Sequence, residues 1–173
     1  TVVGGSATDT INFTSAATDI DDTDFANVLN VDKVQLADGV NVATLGLNAA
    51  AAGITSITGG TGSDTIDASA MGVAVTIDAG QGDDTLIVGA TTAAGSLGLG
   101  AGDNTVSLAS GGSLAGATTT ATGGSWNLSL ADNASVTLRS ANLSGGSGVQ
   151  LSGIIAAGTE TVTVNTTSGV LTN

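Results

Sequence analysis

Asp64, Asp84 and Asn104 stand at equal intervals of twenty residues, each closing a Gly-x-Gly turn and opening a short apolar stretch. A short fixed period constrains a chain more than its composition does. Each repeat must be one structural unit, and neighbouring units must stack to bury a shared core. The central apolar residues Ile66, Ile77, Leu86, Leu97 and Val106 are separated by 11, 9, 11 and 9 residues. They lie in segments of period two, such as Val75-Thr76-Ile77, Leu86-Ile87-Val88, Leu97-Gly98-Leu99 and Val106-Ser107-Leu108, so each segment presents one face inward. Two short strands per repeat, joined by turns of unequal length, describe a coil. The expected fold is all-β: a right-handed parallel β-roll or β-solenoid with coils of about 20 residues.

Composition agrees with thin stacked layers. The 173 residues include two Phe, one Trp and no Tyr, so the core must be built from Val, Leu, Ile and Ala rather than aromatic rings. The 41% hydrophobic content opposes disorder despite 27 Gly. Proline is absent, as suits a fold that uses nearly every backbone N–H in a ladder. Three segments follow: a less regular β-rich part over 1–58, the regular roll over 59–108, and a continuing solenoid with plainer turns over 109–173. In the first, Val31 to Leu36, Val40 to Leu47 and Ile54 to Thr58 read as strands. Asn48, Ala49 to Ala52 and Gly53 read as one capped helical turn. In the last, the triplets recur at Leu128-Ser129-Leu130, Val136-Thr137-Leu138, Val149-Gln150-Leu151 and Val162-Thr163-Val164. Trp126 is expected to fill a wider layer of that core.

The turns carry the chemistry. Gly59-Gly60-Thr61-Gly62-Ser63-Asp64-Thr65-Ile66-Asp67 fits G-G-x-G-x-D-x-U-x, a calcium-binding repeat of parallel β-helices, at every specified position. Ala79 to Ile87 misses only the first Gly, keeping Gly80, Gly82, Asp83 and Asp84. Leu99 to Ser107 keeps Gly100, Gly102 and Asp103 but has Asn104 at the carboxylate position. Gly4 to Asn12 is a more degenerate copy, with Ala7 in place of the third Gly. Glycines let carbonyl oxygens converge, the Asp adds a carboxylate, and Ca2+ accepts six to eight such oxygens. Strands on successive coils lie about 4.8 Å apart. Stacked, unpaired carboxylates at that range repel by roughly 3 kcal/mol at an effective dielectric of 20. A bridging cation would turn this repulsion into folding energy, so the middle section is expected to fold weakly without calcium. The nine-residue interval contains the Gly-Asp turn and the connecting part of the eleven-residue interval has neither Asp nor Gly-x-Gly, so calcium is expected along one edge only. Among other acids, Asp19, Asp21, Asp22 and Asp24 lack the Gly and Glu of an EF-hand and read as a solvated loop. Asp67 and Asp78 end strands, either facing outward or serving as auxiliary ligands.

At these turns the chain resembles the RTX (repeats-in-toxin) calcium-binding β-roll proteins. Its Gly, Ala, Thr and Ser-rich composition is most similar to their surface-layer and giant cell-surface adhesin members. The resemblance covers about Val28 to Leu108, including VDKVQLADGVNVATLGL and AAGITSITGGTGSDTIDASA. It implies type I secretion, calcium-triggered folding outside the cell and a place on the bacterial cell surface. It also implies metal ligands at the turn residues already named. Family coils usually carry two nonapeptides each, so the eleven-residue half departs from the pattern. No C-terminal secretion signal is evident, and a start at Thr1 reads as a piece of something longer.

Several functions are disfavoured. Fourteen Asp and Glu160 stand against Lys33 and Arg139 alone, a net charge of −13, which suits neither nucleic acid nor anionic membrane. No apolar run is long enough for membrane insertion. Without Cys there is no disulfide or thiolate metal site. Solenoid lyases and epimerases need a base and charge-stabilising cations, and a chain with no His, no Tyr and two basic residues is poorly equipped for either. The expected role is therefore structural and non-enzymatic: a secreted, calcium-folded module that self-assembles with copies of itself or with neighbouring modules. The alternative is an RTX-type repeat accompanying an extracellular enzyme or toxin in a longer chain. Thr-rich stretches at 117–122 and 159–167 raise ice or glycan binding, but read as ordinary outward strand residues.

Overall fold

Residues with alternating side chains and no aromatic bulk form short flat strands, and here they wind into a parallel β-solenoid of about five coils of about 22 residues. The computed structural model describes residues 1–89, 95–112, 114 and 118–131, together with the backbone of three later strands. A short pair, β1 (Val2–Val3) with β3 (Val28–Leu29), stands at the N-terminal end. The first long sheet stacks β2 (Thr10–Asn12), β4 (Lys33–Gln35), β6 (Ser56–Thr58), β8 (Thr76–Asp78), β10 (Ser96–Gly100) and β12 (Thr118–Ala121). The second stacks β5 (Val42–Thr44), β7 (Thr65–Asp67), β9 (Thr85–Val88), β11 (Asn104–Leu108), β13 (Trp126–Leu130) and β15 (Val149–Leu151). A further parallel pair joins β14 (Ser135–Arg139) to β16 (Thr161–Asn165).

The register explains the 11 and 9 residue rhythm. Ile66, Leu86 and Val106 pair in the second sheet, while Ile77 and Leu97 pair in the first. All five are fully buried, so successive intervals alternate between the two edges of the solenoid. Coil length is 20 residues in the middle, 23 before it and 22 after it. Both long sheets run on past residues 58 and 108, where the turns change but the architecture does not. Trp126 occupies the interior with no exposure, in register with Asn104.

One edge carries tight turns, over 36–41, 59–64, 79–84, 101–103 and 122–125. The other carries broader connections, one of which holds α1 (Leu47–Ala52). The helix ends on Gly53 in the left-handed conformation, as its sequence predicts. Its start differs: Asn48 is not the cap. The carboxylate of Asp22 receives the Gly46, Asn48 and Ala49 N–H groups at 2.7, 3.0 and 2.9 Å from one coil away. Burial works against this charge, but those three donors outweigh it and hold Asp22 below the usual carboxylate range. Its neighbours are also employed, because Asp21 and Asp24 form a reciprocal capping box around a 3-10 turn at Asp22–Phe25. The acidic run is a folded cap rather than a free solvated loop.

The degenerate turn at Gly4 to Asn12 leads into β2 of the first sheet, whereas the other three motif strands belong to the second. It therefore lies on the opposite edge, out of line with the row. Among the described residues no helix is long and apolar enough to cross a membrane.

Replacing Asp22 by Ala removes a cap shared between two coils and is expected to cost about 1–2 kcal/mol. The exposed Asp19→Ala should stay within about 0.5 kcal/mol of wild type. Equal thermal melts for the two variants would refute the capping role.

Candidate metal centre

Because side chains alternate along a strand, the residue two before each inward apolar residue also points inward. Asp64, Asp84 and Asn104 hold that position before Ile66, Leu86 and Val106, and they are 1%, 1% and 0% exposed. Buried polar atoms need partners, and the neighbouring coil supplies them. The Asp64 N–H donates to Asp84 Oδ1 at 2.8 Å, and the Asp84 N–H donates to Asn104 Oδ1 at 2.8 Å. The column extends one coil further than the motif predicts. Asn41, also fully buried, donates its N–H to Asp64 Oδ1 at 2.9 Å, and its own Oδ1 accepts from the Ala17 N–H at 3.1 Å. At the other end Trp126 takes the place of the next polar residue. Asn41 escapes a search at period twenty because it precedes Asp64 by 23 residues. The Gly39-x-Asn41 pattern just ahead of β5 is the signal that points to it.

The flanking turn residues form the wall of this column. Thr61, Gln81 and Ala101 bridge one another in parallel, with Gln81 donating to the Gly60 carbonyl and Ala101 to the Gly80 carbonyl, each at 3.1 Å. Gly82 and Gly102 have φ of +125° and +128°. A Cβ on either would overlap the carbonyl oxygen of Gly62 or Gly82 on the coil before, so only glycine allows this approach. Gly100 packs against Gly80 in the same way.

Asp83 and Asp103, expected to join the ligands, lie instead on a second, exposed ladder. Asp83 N–H donates to the Ser63 hydroxyl at 3.2 Å, Asp103 N–H to Asp83 Oδ1 at 2.8 Å, and Ser125 N–H to Asp103 Oδ1 at 2.9 Å. The Ser125 N–H and hydroxyl hold Asp103 below the ordinary carboxylate range. Alternation along the chain puts each of these residues on the opposite face from its inward neighbour. Asp67 accepts from the Ser69 N–H at 2.9 Å, and Asp78 is exposed on the first sheet, so neither joins the column.

Within the column, Asp84 is the anomaly. Asp64 Oδ2 receives the Gly60 N–H at 3.2 Å, but Asp84 Oδ2 is buried without a partner. Burial pushes the Asp84 carboxyl up to about 6, against the hydrogen bond from the Asp64 N–H, and the charges of Asp64 and Asp83 add to the rise. An orphaned buried carboxylate oxygen on a glycine-rich turn, where backbone carbonyls are the other oxygen donors at hand, suits a hard cation. Among the described residues no three acidic, His or Cys side chains converge, so carbonyl and amide oxygens would have to complete the shell. With neither His nor Cys in the chain, the available donors are all oxygen, a set that would favour Ca2+-like ions over zinc or copper.

Comparisons with protein-family models, with curated proteins and with solved structures find no match.

Two outcomes follow for the metal-free protein. A carboxyl whose folded value is raised stabilises the fold fully below its unfolded value, near 3.8, and that stability is lost as pH rises through about 6. Asp22 and Asp103, held low, lose their contribution only as pH falls below about 4. Denaturation in chelator should therefore find maximum stability between about pH 4 and 5, with about 2 kcal/mol lost by pH 7. Asp84→Asn should remove most of that loss, because a carboxamide can donate where the carboxylate has no partner. An equal pH slope in the variant would show that Asp84 is not its source.

Proposed function

We propose that this chain is a calcium-ordered structural module of a secreted bacterial surface protein of the RTX type, such as a surface layer, filament or adhesin. One observation carries the calcium reading: the buried, unpartnered Asp84 Oδ2 stands in register between the carboxylate of Asp64 and the carboxamide of Asn104. Gly60, Gly62, Gly80, Gly82, Gly100 and Gly102 shape the turns whose carbonyl oxygens would complete the coordination. Calcium bound there ties consecutive coils together, so its binding energy becomes folding energy. Extracellular calcium, secretion to the cell surface and the RTX resemblance form one consistent reading.

The outward residues support a structural role. Thr65, Thr85 and Thr105 run in register along the second sheet. Ser56, Thr76 and Ser96 lie on corresponding strands of the first. These hydroxyl columns supply no general base and no electrophile. Assembly with other copies or neighbouring modules suits a solenoid whose first long sheet ends on the strand β2.

Circular dichroism and thermal melting at pH 7, in chelator and then in excess calcium, test this reading. At calcium a hundred times its Kd, binding adds about 2.7 kcal/mol, so the melting temperature should rise by several degrees and the β-sheet signal should strengthen. Identical spectra and melts in both conditions would overturn it. Electron microscopy of the calcium form then distinguishes a lattice or fibre from a monomeric stalk.

A further inference from the structure

Asn41 shows what fills the oxygen cage of this column when no cation is called for. Its Nδ2 donates to the Ala37 carbonyl at 2.8 Å, to the Gly39 carbonyl at 3.0 Å and to Asp64 Oδ1 at 2.8 Å. The two carbonyls stand four and two residues before it, and the carboxylate belongs to the next coil. The amide orientation follows from the surroundings: three acceptors face the nitrogen, and one donor, the Ala17 N–H, faces the oxygen. A positively polarised NH2 group thus sits where three oxygens converge. At the other end of the row Asn104 does likewise, with Nδ2 donating to the Gly102 carbonyl two residues before it at 3.2 Å.

The Asp coils have the same positions and no such nitrogen. For Asp84 the corresponding oxygens are the Gly80 and Gly82 carbonyls, its own Oδ2 and Asn104 Oδ1. For Asp64 they are the Gly60 and Gly62 carbonyls and Asp84 Oδ1. The two coils are not equivalent, however. Asp64 Oδ2 has turned to the Gly60 N–H, while Gly80 lies at φ +98° and Asp84 Oδ2 has no partner. Electrostatics favours the same choice. The column holds two carboxylates between two neutral amides, so a single divalent ion balances its charge.

We propose that Asn41 and Asn104 act as built-in replacements for the cation, and that the column accepts a single tightly held calcium ion, at Asp84. This rests on the calcium reading above and departs from a continuous row of ions. The carboxamides make the flanking coils independent of metal, and they limit the metal requirement to the coils between them. Asn→Asp at a flanking position exchanges the NH2 group for a second oxygen and creates a vacancy that only a cation can fill.

Calorimetric titration with calcium, supported by Tb3+ luminescence, tests the assignment. Trp126 is the one indole in the chain. It lies two coils from Asp84, about 10 Å along the axis, and so can sensitise an ion held there. Wild type should bind one ion tightly, Asp84→Asn none, and Asp83→Asn on the exposed ladder still one. Asn41→Asp should bind two and should require calcium to fold at pH 7. Asn104→Asp, at the other end, makes the same prediction. A wild type that binds no ion sinks the calcium reading and this inference together. Two or more tight ions in wild type, or a single ion in both Asn→Asp variants, overturn this inference alone, as do Asn→Asp variants that stay unfolded in calcium.

Discussion

The fold depends on how a parallel solenoid satisfies the backbone at its tight edge. There the chain leaves one sheet and enters the other, and the N–H groups of Asn41, Asp64 and Asp84 point along the axis before the strand ladder has begun. A short side-chain oxygen from the next coil meets each of them at 2.8 to 2.9 Å. The residue that does this must be polar, must face inward and must be short enough to stay in register. Asp and Asn meet those conditions, but burial makes the choice between them consequential. An Asn brings its own donor, whereas an Asp brings a charge that the interior does not solvate.

A second ladder on the same turns works in the opposite sense. In the inner column each side chain accepts from the coil before it. On the exposed ladder Ser63, Asp83 and Asp103 accept from the coil after. Each middle turn is therefore held to both neighbours by side-chain oxygens, in addition to the Thr61, Gln81 and Ala101 bridges. Sliding by one residue would exchange the two rows, exposing Leu86 and Val106 while burying Asp83 and Asp103. The turn chemistry and the apolar pattern thus specify one register together.

The regular part of this arrangement is legible in the sequence because it rests on local spacing. Ile66, Ile77, Leu86, Leu97 and Val106 alternate between sheets as their intervals require, and the Gly-x-Gly-x-Asx turns share one edge. What escapes is whatever depends on contacts between coils of unequal length. Asn41 belongs to the polar column but stands 23 residues before Asp64, so a strict period passes over it. Asp22 caps a helix 24 to 27 residues away, which no helix-start pattern within α1 reveals. GGSATDTIN resembles the other turns, yet its strand enters the first sheet, so it lies on the far edge. The split between Asp83 and Asp84 is readable in principle, because adjacent residues face opposite ways. A motif treated as one ligand set conceals it.

Repeat folds transmit stability mainly between nearest neighbours, so the position of the carboxylates within the column matters as much as their number. Asn41 joins the N-terminal coils to the middle by donating to the Asp64 carboxylate without adding a charge of its own, and on the C-terminal side Asn104 is followed by the buried indole of Trp126. Neither junction places a second charge in the interior. The uncompensated charge is confined to the step from Asp64 to Asp84, where the coils are shortest and the turns most glycine-rich. On the proposed calcium reading, a cation at that step would couple two flanks whose inner turn contacts need none. Order along the solenoid would then depend on one internal joint, and exchanging Asn for Asp would move that dependence along the chain.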